Sequence, residues 1–206
     1  LMRALAIREK KLGPNHPSVA DSACDLGDLA MRRADLARAD GQYGRALAIR
    51  RAALGENHPQ VAGTLHRQAA VLAARGDLRR AASTYEQALA ARERLLGAQH
   101  PDVAQTLLGL GAVKVGLADI PAALRLLARA RDANEAVLRS ISGSGGASEE
   151  RIDAFLRSLR GEEELTYSLL AEPGLAARED VATQVATMAL LRKGRSIDEA
   201  ADTSRA

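Results

Sequence analysis

Apolar and alanine positions recur at three- and four-residue steps through most of the chain, as in Val61, Leu65, Ala69 and Leu72, then Leu78, Ala81, Tyr85, Ala88 and Leu89. That spacing places one apolar stripe on each of two consecutive helices. No stretch alternates apolar and polar residues long enough to predict a strand, so the predicted fold class is all-α.

The stripes repeat. Gly13-Pro-Asn-His-Pro17, Gly55-Glu-Asn-His-Pro59 and Gly97-Ala-Gln-His-Pro101 stand 42 residues apart, and Val19, Val61 and Val103 keep the same frame. So do Ala4-Leu5-Ala6-Ile7, Ala46-Leu47-Ala48-Ile49 and Ala88-Leu89-Ala90-Ala91. Ala34-Asp35-Leu36, Gly76-Asp77-Leu78 and Ala118-Asp119-Ile120 fall midway between the pentapeptides. Two punctuation marks per unit predict two helices per unit, each of about 15 to 18 residues or roughly 25 Å. In this frame the Gly of each pentapeptide ends one helix in a left-handed cap, the Pro occupies the first turn of the next, and the polar residue before it accepts from free amides. Units that bury a face against their neighbours stack into a superhelical solenoid with one long inner surface, which predicts binding rather than catalysis.

Composition narrows this picture. Aromatic residues are 2% of the chain and Trp is absent, so the helices pack through small side chains. The pI is near 9.3, but 29 basic residues face 26 acidic ones for a formal charge of +3, with the signs interspersed as on a solvated helix surface. Without a Lys-rich tract or aromatic platforms, nucleic acid is not an expected partner. No apolar stretch is long enough for a membrane span, and the lone Cys24 fits a reducing, cytoplasmic setting.

The two-helix unit with Ala69, Gly76, Ala81, Tyr85 and Ala88 resembles a tetratricopeptide repeat, and the Leu-Gly-x-x-His-Pro junction makes it similar to the 42-residue kinesin light chain class. The resemblance covers residues 1–140 and implies a protein-interaction scaffold. It departs from that class where an Asn clamp on the first helix is expected, since those positions hold Cys24 with Asp25, His66 with Arg67, and Leu108 with Gly109. Beyond Ala130 the frame dissolves. The order Ala130-Arg-Asp-Ala-Asn-Glu135, a Ser- and Gly-rich linker over 141–148, Glu149-Glu150-Arg151 and Leu190-Leu-Arg-Lys-Gly-Arg195 resembles the region following the repeats in bacterial CHAT proteins. These are caspase-like proteases fused to tetratricopeptide repeats. The resemblance makes 149–206 a helical connector to a C-terminal protease domain and the array its regulatory part. A free-standing kinesin light chain-like adaptor and the sensor array of a nucleotide-dependent signalling protein are the alternatives.

Aligning the units at Gly27, Ala69 and Gly111 predicts the residues of the inner groove. The first unit contributes Asp21, Cys24, Asp25, Asp28 and Arg32; the second contributes Gly63, His66, Arg67, Ala70 and Ala73; the third contributes Leu108, Gly109, Ala112 and Val115. Their order grades from acidic through basic to apolar, which would orient a peptide or a helix of a partner, or the protein's own protease domain. No cofactor, metal or catalytic group is expected. His16, His58 and His100 sit one per unit, too far apart for a single ion. Cys24 lies within a helix, with neither an oxyanion loop nor an orienting His. Gly143-Ser-Gly-Gly146 lacks the Lys-Ser/Thr of a phosphate loop. Residue 1 falls inside the second helix of a unit, so Ala4, Leu5 and Leu12 are expected to present an uncovered apolar face, with self-association as its outlet.

Overall fold

The computed structural model describes residues 1–143 together with 164, 178–183, 185–187 and 189. Seven consecutive helices occupy residues 2–143: α1 (Met2–Leu12), α2 (Pro17–Arg32), α3 (Leu36–Leu54), α4 (Pro59–Ala74), α5 (Leu78–Leu96), α6 (Pro101–Gly116) and α7 (Ile120–Gly143). The pairs α2/α3, α4/α5 and α6/α7 are three complete units, and α1 corresponds in the 42-residue frame to a second helix. No strand occurs among the described residues.

The punctuation acts through specific atoms. His16, His58 and His100 are N-caps whose Nδ1 accepts from the amides of Ser18, Gln60 and Asp102 at 3.1–3.2 Å, and Pro17, Pro59 and Pro101 open the helices. In the mid-unit turn, Asp35, Asp77 and Asp119 cap α3, α5 and α7 through the amides of Arg38, Arg80 and Ala122. The junction glycines differ from expectation in one respect. Gly13, Gly55 and Gly97 have φ of 80–86° but ψ of 154–164°, so they adopt the extended positive-φ region open essentially to Gly alone, rather than a left-handed helical cap. This conformation turns the chain toward the extended His N-cap instead of prolonging the helix.

Inside each unit the turn residue before the capping Asp also has positive φ: 56° at Ala34, 80° at Gly76 and 59° at Ala118. Two of the three carry a Cβ that this region penalises by about 1–2 kcal/mol, partly offset by the greater chain entropy of Gly. Ala34→Gly and Ala118→Gly are each expected to raise stability by about 0.5–1 kcal/mol. Shifts of the urea midpoint in that direction for both, and in the opposite direction for Gly76→Ala, check the assignment.

Close approach depends on small residues. A Cβ added to Gly27 would stand 2.5 Å from the Tyr43 ring, so the first and second helices of that unit meet only because α2 has no side chain there. Val19, Val61 and Val103 are fully buried, one per unit, as are Ala39, Ala81 and Ala123 on the second helices. Leu5 is buried against α2, which corrects the expectation that it is uncovered; Ala4, Ile7 and Leu12 remain exposed. At the other end α7 runs 24 residues where α3 and α5 run 19. Arg139 stands where Gly97 ends α5, so nothing stops the helix, and it continues three residues into the segment expected as linker. Residues 144–148 of that linker, and most of the expected connector, lie outside the described residues.

Candidate functional site: the inner face

The first helices of successive units approach one another directly, α4 touching α6. They therefore line the inside of the array, where the 42-residue frame puts the candidate residues. The predicted gradient of charge does not survive side-chain geometry. Asp21 accepts from Arg50 Nη2 at 2.7 Å, and Asp28 Oδ1 accepts from Tyr43 Oη at 2.6 Å and faces Arg67 Nε at 3.2 Å. Two of the three acids of the first unit are thus neutralised by the protein itself, while Asp25 and Arg32 stay exposed. Cys24 is 4% exposed and belongs to the core, so it is not a groove contact. Burial also pushes its thiol above the ordinary range, outweighing the opposing Arg50 and Arg67, which keeps it protonated and unreactive.

At the far end the expected apolar anchor is already covered. Leu108 and Val115 pack with Ile120, Leu124 and Leu127 against Val181 and Val185, both buried. A helical stretch of the chain's own C-terminal region therefore packs on the last unit. Ala112 is exposed beside it.

Between these ends lies a charged centre that sequence reasoning left out. Arg8, Arg50 and Arg92 recur at 42 residues on the second helices. Each reaches the following helix by the same route: Nη1 donates to the backbone oxygen ten residues on (Ser18, Gln60, Asp102) and to the hydroxyl fourteen residues on (Ser22, Thr64, Thr106). The side chain of Arg50 is only 7% exposed and that of Arg92 only 6%, so each ties one unit to the next from inside. Burial lowers the pKa of Arg92.

His66 sits on this series. Thr106 Oγ1 donates to Asp102 O and accepts from Arg92 Nη1, so its remaining lone pair faces His66 Nδ1 at 3.4 Å and makes that nitrogen the protonated one. The ring stands edge-on to Tyr85 at 5.3 Å between centroids. Burial, then Arg92 and Arg67, lower the His66 pKa to about 3, while burial pushes Tyr85 up to about 12. Both are neutral near pH 7. The inner face of α4 thus presents a neutral imidazole, the partly exposed Arg67 and the small Gly63, Ala70 and Ala73, none more than partly buried.

Among the described residues no group of three His, Cys, Asp or Glu could hold a metal ion, and no helix is long and apolar enough to cross a membrane. A tetratricopeptide repeat model matches residues 30–94 and 60–136, and a second matches residues 1–18. No curated protein matches the chain. Among solved structures, BtubC (BKLC) from P. vanneervenii is similar at 28% identity with a TM-score of 0.61. That match takes in 66% of this chain and 54% of the other, so the chain spans about half the length of that relative. The kinesin light chain-type TPR-like repeats of Podosopora anserina, at 20% identity and a TM-score of 0.56, share the fold over 93% of this chain and 99% of theirs.

Proposed function

This chain belongs to the tetratricopeptide repeat family, and from that premise we propose that it is a non-catalytic scaffold binding a segment of a protein partner on its inner face, centred on α4. One observation carries this reading: Gly63, His66, Arg67 and Ala70 are all partly exposed along one face of α4, while Asp21 is already paired with Arg50 and Leu108 and Val115 pack against Val181 and Val185. A photo-crosslinking residue at Ala70 is expected to capture a partner that the same residue at the exposed Arg79 on α5 does not. Equal capture from both positions would contradict the reading.

The finer reading is that the array regulates a CHAT-type caspase-like bacterial protease. It is supported by Ala130–Glu135 on α7 and by Leu190–Arg195, the latter outside the described residues. The contact of Val181 and Val185 with the last unit supports a route for it: a ligand that shifts α4 against α6 also shifts the helix packed on α6 and α7, and so biases whatever follows. Reading the gene downstream of Ala206 tests this. A domain with a His and Cys dyad supports the protease regulator, whereas a stop codon at that point contradicts it and leaves the adaptor.

A further inference from the structure

The internal repeat allows one unit to be read as a control for the next. In the first unit Arg50 Nη2 donates to the Asp21 carboxylate at 2.7 Å. Moving 42 residues along, Arg92 replaces Arg50 and Gly63 replaces Asp21. Arg92 keeps the other half of the pattern, donating through Nη1 to Asp102 O at 2.7 Å and Thr106 Oγ1 at 2.6 Å. Its Nη2 meets only the Asp102 carboxylate at 3.7 Å, beyond hydrogen-bond length. A Cβ added to Gly63 would meet, outside its own stretch of helix, only Arg92 Nη2 at 3.8 Å and Arg67 Nη1 at 3.9 Å within a 4 Å radius. Two guanidiniums therefore converge on a notch beside Gly63, and the carboxylates that face them, Asp28 at Arg67 Nε and Asp102 at 3.7 Å from Arg92 Nη2, leave Arg92 Nη2 without a hydrogen-bonded carboxylate. The Arg92 side chain is 6% exposed, so an acceptor placed against it is held where solvent screening is weak.

We infer that this notch receives an Asp or Glu side chain of the bound polypeptide, whose carboxylate stands to Arg92 as Asp21 stands to Arg50. The assignment rests on the inner-face reading above and adds the chemistry of one ligand residue to it. Arg67 supplies the second guanidinium, since its Nε already faces Asp28 while its Nη1 points toward Gly63. Acidic residues elsewhere in a ligand gain nothing comparable, because Arg50 is already paired.

Panning a random heptapeptide display library on the full chain tests this with the natural partner still unidentified. Selected peptides are expected to share an acid at one position, and changing it to its amide in a synthetic copy is expected to weaken binding tenfold or more. Gly63→Asp fills the notch from within. It is expected to weaken the parent peptide by a similar factor and to abolish the difference between acid and amide. Gly63→Asn, of the same bulk as Asp without its charge, is expected to retain the preference for acid over amide and so separates charge from bulk. Selected peptides that bind the inner face with no preference for acid over amide, or with a preference unchanged in Gly63→Asp, overturn the notch assignment alone. A library yielding no binder, or only binders of α3 and α5, overturns the inner-face reading and the notch with it.

Discussion

Arg50→Ala is expected to destabilise the folded array by about 2–3 kcal/mol, far more than loss of an exposed ion pair. The side chain leaves α3, pairs with Asp21 on α2 and bonds to Gln60 O and Thr64 Oγ1 on α4, so a single residue joins three helices across a unit boundary. Its removal deletes a buried aliphatic stem together with these bonds. The cost stays below that of a fully orphaned buried charge because the Asp21 side chain is 47% exposed and can rehydrate. Arg50→Met retains the stem and is expected to lose less. In urea unfolding, a Thr64→Val background should reduce the cost of Arg50→Ala, since the two share one bond; additive losses would mean that the staple carries no coupling.

Acidification is expected to weaken the fold through His66. Its pKa is about 3 in the folded chain against 6.5 for a free imidazole, so between those values the unfolded state holds a proton that the folded state excludes. Stability is therefore fully present above pH 6.5 and falls as pH drops toward 3, at up to about 1.4 kcal/mol per pH unit. The interval from pH 6.5 to 5 lies above the carboxylate range and isolates this effect best. Unfolding free energies of the parent and of His66→Phe should converge as pH falls through it, the variant having the flatter profile. Parallel profiles would remove His66 from the network of Thr106 and Arg92.

Much of the fold was legible because a 42-residue frame reports both helices of every unit, with their caps, in residues whose backbone roles are local. His16, His58 and His100 could be read as caps rather than as a metal site from position alone. The geometry of Gly13, Gly55 and Gly97 was less legible: a Gly before an extended N-cap and a Gly in a left-handed cap are the same letter. The binding face was read in register but with the wrong electrostatics. Asp21 and Asp28 face the groove, yet which cations reach them depends on Arg50 and Arg67, in other helices. Arg8, Arg50 and Arg92 were passed over because charged residues on a helix normally mark its solvated side. A signal was present, since each is followed fourteen residues later by Ser22, Thr64 or Thr106. Coverage of Leu108 and Val115 could not be read at all, because Val181 and Val185 carry no trace of the repeat frame.

Where a ligand sits on the array is the central claim, and amide chemical shifts of the isotope-labelled chain report it residue by residue as a peptide selected against the chain is added. Perturbations concentrated on α4 at residues 63–73, with the facing residues of α2 and α6, are the predicted result. Perturbations confined to α3 and α5, with residues 63–73 unmoved, would contradict the inner face as the binding surface.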